Sequence, residues 1–248
     1  MDNRTETEKR LRRRTIISFV VFFALIIAGY IGWRVLYTEQ MDNGVQKDIR
    51  KGLKTNESIF ENLFSTHHLA KTYLESEAVK KVRVNGRIGM GVDFDAALWK
   101  LRVFRKPGDT LFLTLDDIKS LPKTDVIFDF KCIEGWSQVT HWGGAKFSDF
   151  MKKYNLNDQS QMNYTGLITP DQKYYVGIDM ASMMQPQTLL CYEMNGKPLP
   201  MDQGYPLRLI IPVKYGIKHL KRIGTMYFQD TKPKDYWAEK GYDYYSGL

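Results

Sequence analysis

A cysteine stands at position 132 in the run Phe130-Lys131-Cys132-Ile133-Glu134-Gly135-Trp136-Ser137, with Trp142-Gly143 ten residues further on. As a thiolate it would be a soft ligand for a heavier transition metal, and Lys131 beside it would favour the deprotonated form. Residue type alone leaves another reading open, a buried structural cysteine, because free cysteine is among the most buried residues. The second cysteine, Cys191, is 59 positions away, so no CxxC pair, zinc ribbon or disulfide framework can form. A metal bound here takes one thiolate or none from this chain. Lys214, Lys218 and Lys221 are the other concentration of charged side chains, and by themselves they read as a solvated face. No GxSxG elbow, P-loop, GxGxxG or HExxH occurs, which removes the usual signatures of hydrolase and nucleotide chemistry.

The elements that must position Cys132 are short strands. Trp99, Leu101 and Val103 alternate with Lys100 and Arg102, and Lys106-Pro107-Gly108-Asp109 supplies turn chemistry before Leu111 and Leu113. Thr114 can cap a short helix through Asp116 and Asp117 that ends near Pro122. Val126, Phe128 and Phe130 then restore period two, which puts Cys132 just past a strand's end. Residues 164–168, 174–178, 188–194 and 207–211 read as further strands, with Asn195-Gly196 a turn, and residues 147–154 and 180–184 as short helices. The expected fold is α+β: a β-rich mixed domain over residues 81–248, without repeats.

Upstream the pattern differs. Residues 15–33 contain no charge, and 19 residues at ~1.5 Å each span ~28 Å as a helix, close to a bilayer's hydrocarbon thickness. A cleaved signal peptide has a shorter apolar core and a small-residue cleavage site, neither of which is present before Arg34. An uncleaved anchor is expected, with residues 1–14 as a cytoplasmic basic segment and the bulk of the chain on the far side of the inner membrane, periplasmic or extracytoplasmic. Residues 34–80 read as a helical tether in which Asn56 caps a helix bearing Ile59, Phe60, Leu63 and Phe64 on one face. His67 and His68 are adjacent, which separates them by ~100° on a helix and suits them poorly to one ion. The net charge is +8, of which residues 1–14 hold +3; the rest is a dilute field, and no RNP-like box or zinc finger supports nucleic-acid binding.

The segments CIEGWS, TxWGG, QPQTLLCYEMNGKPLP and QGYPLRLIIPVKYGIKHLKRI resemble the molybdopterin-binding oxidoreductase domain of the sulfite oxidase superfamily. Within it they are most similar to the bacterial periplasmic methionine sulfoxide reductase catalytic subunits, over about residues 82–245. The resemblance implies a Mo-molybdopterin cofactor with Cys132 as the single protein ligand of the metal, and Glu134 as an acid close to it. It also implies pterin or phosphate contacts from Arg208, His219 and Lys221, flanked by Lys214 and Lys218, and from Asn85, Ile88, Gly89 and Thr169. Two positions depart from the family pattern: Gln185 replaces a histidine before P-x-T-L-L, and Gln203 replaces an asparagine, still expected to reach the cofactor. Cys191 matches no ligand position.

An acid two positions after the cysteine would repel sulfite, so the resemblance implies a neutral S-oxide or N-oxide substrate reduced by oxygen-atom transfer. The chain holds no CxxCH or iron-sulfur cysteine set, so electrons would come from a membrane haem- or quinol-linked subunit. Two alternatives remain. A sulfite dehydrogenase would need Arg83, Arg87, Arg102 or Arg105 brought near the metal; a metal-free, membrane-tethered binding module would keep the fold and lose the cofactor.

Overall fold

The computed structural model describes residues 5–38, 41–42, 45–63, 69–91 and 94–247. The chain divides into two units, Met1–Thr55 and Asn56–Leu248. In the first, helix α1 (Glu6–Thr38) contains a stretch, Glu8–Val35, long and apolar enough to cross a membrane by length and composition. Its apolar side chains, from Ile16 to Val35, are exposed. A two-stranded ribbon, β1 (Met41–Asp42) and β2 (Val45–Gln46), leads into helix α2 (Lys47–Leu63). That start corrects the expectation at Asn56: Lys47 to Lys51 are compatible with helix, one glycine at position 52 costs only about 1 kcal/mol, and Asn56 therefore lies inside the helix. Phe64, His67 and His68 fall outside the described residues.

The second unit is built on two five-stranded sheets. Its elements after α2 are β3 (Leu101–Lys106), β4 (Asp109–Leu113), α3 (Leu115–Lys119), β5 (Lys123–Lys131), β6 (Ser137–Lys146), α4 (Phe147–Lys153), α5 (Asn157–Ser160), β7 (Tyr164–Ile168), β8 (Tyr175–Asp179), α6 (Met180–Met183), β9 (Leu189–Met194), β10 (Lys197–Pro198), β11 (Arg208–Ile210) and β12 (Thr225–Gln229). One sheet runs β4-β3-β12-β7-β8, antiparallel except that β12 lies parallel to β3. The other runs β10-β9-β6-β5 with β11 also on β9, all antiparallel. Capping follows the sequence: Thr114 accepts the Asp117 N–H while Asp117 reaches back, and Asp179 accepts the Ser182 N–H at the start of α6.

Alternation along the strands makes two cores. Leu101, Val103, Leu167, Val176, Ile178 and Met226 from the first sheet pack with Ala145, Leu190, Tyr192 and Leu209 from one face of the second. The opposite face carries Val126, Phe128, Phe130, Trp142, Leu189, Cys191 and Ile210, joined by Val82 and Leu199. The β6–β9–β11 part of this sheet is thus buried on both faces, and burial of each such side chain stabilises by roughly 1.5–3 kcal/mol. Gly144 is required where β6 meets β9, because a Cβ there would stand 2.3 Å from the Leu190 carbonyl oxygen. The segment read as the end of the tether joins this sheet: Thr72 bridges Phe128, the Tyr73 N–H donates to the Ile127 carbonyl, and the Val79 N–H to the Val139 carbonyl. The folded unit therefore begins before residue 81.

Candidate functional site

The β5–β6 hairpin ends at the pair Lys131 and Ser137, and residues 132–136 turn the chain. The Cys132 N–H donates to the Trp136 carbonyl at 2.9 Å and the Gly135 N–H to the Cys132 carbonyl at 3.0 Å, with Gly135 at φ +86°, a conformation strained for any residue with a Cβ. This geometry carries the Cys132 side chain inward, to 2% exposure. Asn85 Nδ2 donates to Cys132 Sγ at 3.1 Å. Burial raises the thiol above its ordinary value and the Glu134 charge adds to the rise, opposed by the backbone amides of Glu134 and Ile133 and by Arg83. A bound metal cation would reverse that balance and take the thiolate.

The pocket above Cys132 is walled by cations that lack carboxylate partners among the described residues. Arg208, 3% exposed, stacks on Trp142 at 4.5 Å and donates from one terminal nitrogen to the Gln203 carbonyl and Oε1, while its Nε has no acceptor. Lys221 Nζ is spent on three carbonyl oxygens, those of Asn85, Gly86 and Asp202. Burial, aided by the Arg208 charge, pushes Lys221 down to about 7. His219 donates from Nε2 to the Lys214 carbonyl at 3.0 Å and accepts the Ile211 N–H at Nδ1, so both nitrogens are occupied. Its burial beside Phe130 and the Arg208 charge push it down to about 3, and it is neutral. Such a pocket is short of negative charge.

Comparison with known proteins gives the reason for that deficit. Residues 89–237 match the oxidoreductase molybdopterin binding domain. The chain belongs to that family. A protein of Azospira oryzae, provisionally named protein-methionine-sulfoxide reductase subunit YedZ1, is 31% identical over 83% of this chain and 78% of its own. The protein-methionine-sulfoxide reductase catalytic subunit MsrP of Campylobacter jejuni is 30% identical over 65% of this chain and 60% of its own. Sulfite oxidase of Macaca fascicularis is 26% identical over 62% of this chain and 33% of its own. The chain thus spans between a third and nearly four fifths of the length of these relatives.

The residues present fit a molybdopterin group. One buried thiol faces the pocket, the unpaired Arg208 Nε and the cation of Lys221 suit a phosphate, and Phe130, Trp136 and Trp142 offer apolar walls. Among the described residues no set of three His, Cys, Asp or Glu side chains could hold a metal alone, so a metal on Cys132 would take its further ligands from a cofactor.

The structure brings together Cys132, Glu134, Asn85, Ile88, Gln203, Arg208, His219 and Lys221 as pocket-lining residues. Glu134 is exposed at the mouth and accepts the Trp136 indole N–H at 3.0 Å. Gln203 also donates to the Val82 and Arg83 carbonyls, tying the pocket wall to Arg208. Four expected contacts lie elsewhere. Lys214 pairs with Asp179 at 2.7 Å and Lys218 with Asp235 at 2.5 Å, both buried, because an unpaired ammonium in the core would be costly. Gly89 packs on Thr169, whose hydroxyl donates to Asp171 and closes the β7–β8 turn. Gln185 is buried and does not line the pocket. Tyr174, Trp237 and Tyr242 also line the pocket without a role expected from the sequence: Tyr174 reads there only as the start of a strand, and Trp237 and Tyr242 lie in a segment without a periodic pattern. Of the four arginines weighed for an anionic substrate, Arg83 lines the pocket, whereas Arg102 bonds Thr225 and Arg105 bonds Asp109.

Proposed function

We propose that this chain is the catalytic subunit of a membrane-tethered system that reduces S-oxides of the methionine sulfoxide class. In this reading residues 15–33 anchor it, residues 1–14 stay cytoplasmic, and the folded unit works on the extracytoplasmic side. When bound, the molybdopterin-held metal supplies the two-electron oxygen-transfer chemistry. The net reaction takes the sulfoxide, two electrons and two protons to the thioether and water, and a membrane haem- or quinol-linked subunit supplies the electrons. Cys132 would hold the metal, Asn85 would fix the direction of its sulfur, and Arg208 with Lys221 would bind the pterin phosphate. Trp136, Tyr174, Trp237 and Tyr242 give the mouth an aromatic lining suited to a thioether or sulfoxide side chain.

The observation that carries this reading is the buried Cys132 thiol beneath a pocket whose cations lack counter-ions. The test is elemental analysis of purified wild type and Cys132→Ser, then turnover with methionine sulfoxide. Near one molybdenum per wild-type chain and almost none in the variant is expected; equal metal in both overturns the ligand assignment. Arg83 at the pocket favours a second reading, sulfite oxidation. Turnover of sulfite with no reduction of any sulfoxide would select it.

A further inference from the structure

The strap over residues 79–89 forms one side of the pocket mouth, contributing Val82, Arg83, Asn85, Gly86 and Ile88 to its lining. Its path is fixed by backbone contacts: the Arg83 N–H donates to Gln138 Oε1 at 2.9 Å, Asn195 Nδ2 donates to the Val79 and Lys80 carbonyls, and Gln203 holds the Val82 and Arg83 carbonyls. Lys80, Lys81, Arg83 and Arg87 are all exposed on it, as is Lys131 next to Cys132. None of these five forms an ion pair among the described residues. The Arg83 guanidinium carbon lies over the Trp136 ring, 4.7 Å from its centroid, and Glu134, the one carboxylate lining the pocket among the described residues, is turned to the Trp136 indole. The pocket therefore has aromatic walls and Arg208 and Lys221 in its lining, and the strap adds exposed cations along one rim.

A small anion needs one or two of those charges. The four cations are spread along eight residues of the strap, from Lys80 to Arg87, so engaging several of them takes a longer ligand with several negative charges, as a polypeptide lying across the mouth would have. Because the strap is already held in place, engaging it requires little ordering, and the charge complement is negative. We propose that the strap cations, with Arg83 nearest the pocket, form a docking rim for acidic polypeptide segments that present methionine sulfoxide to the mouth. This rests on the S-oxide reading above.

The test uses the full-length holoenzyme and three peptides of equal length, each with one methionine sulfoxide flanked by Asp/Glu, by Gly/Ser or by Lys. At low ionic strength kcat/KM for the acidic peptide should exceed that for the basic one by about tenfold, and the ratio should shrink toward one near 0.5 M salt. The double variant Lys81→Glu/Arg83→Glu should invert the order. Labelled methionine sulfone peptides with the same flanks, which cannot be reduced, give a binding readout by fluorescence anisotropy with the same expected order. Equal kcat/KM and equal binding for all three peptides, or a ratio unmoved in the variant, overturns the rim. If no sulfoxide is reduced while the acidic sulfone peptide binds best, the S-oxide reading fails and the rim stands.

Discussion

Asn85 and Cys132 are 47 positions apart in sequence, yet the side-chain amide of one donates to the sulfur of the other at 3.1 Å. The donor favours the thiolate, so in metal-free protein Asn85→Ala should raise the Cys132 thiol still further above its ordinary value. The pH profile of alkylation by a small reagent, read by mass spectrometry at Cys132, checks this. A midpoint that stays put or falls would show that the amide does not act on the sulfur. Cys191 is an internal control, fully buried and pushed up to about 12, and it should stay unlabelled in both proteins.

Lys221 should make anion binding depend on pH. Its ammonium sits near half-protonation at neutral pH, and a phosphate placed by Arg208 and Lys221 requires the charged form. Binding of inorganic pyrophosphate to metal-free protein should therefore weaken as pH rises from 7 to 9, approaching about tenfold per unit, with proton uptake near pH 8 in calorimetry. Lys221→Met should bind more weakly at pH 6 and lose most of this dependence. The sign for stability is opposite: between about 7 and 10.5 the unfolded chain holds the extra proton, so the ligand-free fold gains stability as pH rises through that window.

Most of the scaffold around Cys132 could be read from the sequence because period two and turn residues are local signals. β3, β4, α3, β7, β8, β9 and β11 start within a residue or two of their expected positions, and β5 starts three residues before Val126. β6 and β12 have no matching expectation: β6 carries Gly143-Gly144 and a histidine where the sheet is buried on both faces, which erases the alternation, and the continuous Met226-Tyr227-Phe228 run of β12 shows no period of two. The basic run 214–221 shows the same limit at the site. Spacing cannot tell a lysine that faces a pocket from one that meets an aspartate from another segment, and Asp179 and Asp235 claim Lys214 and Lys218. Arg83 and Trp136 come together only because the strap crosses the hairpin turn, a tertiary fact with no local signature.

Those ion pairs carry their own prediction. Lys218 donates to Asp235 and to the Gly177 carbonyl, and Asp235 also accepts the Gly177 and Ala238 amides. Lys218→Met leaves a buried carboxylate without its cation and should cost about 3–5 kcal/mol, with Lys218→Met/Asp235→Asn recovering part of it. Denaturant titration measures the loss. Molybdenum per folded molecule should stay at the wild-type level, whereas selective metal loss with unchanged stability would assign Lys218 to the cofactor instead.

His219 lines the pocket yet should never titrate there in the physiological range. Its Nε2–H is committed to the Lys214 carbonyl and its Nδ1 to the Ile211 amide, so protonation would require breaking the latter inside a buried site next to Arg208. Nitrogen chemical shifts should report a single neutral Nε2–H tautomer from pH 8 down to pH 5. Because the folded value lies near 3 and the unfolded one near 6.5, the unfolded chain takes up a proton first as pH falls, and this residue's contribution to stability is lost from about pH 6.5 downward. The slope is about 1.4 kcal/mol per pH unit, so wild type should lose about 2 kcal/mol more than His219→Gln between pH 7 and pH 5. Equal losses in the two proteins, or a shift that titrates near pH 6, would mean that the imidazole is exposed to protons in solution and free to serve as an acid at the site.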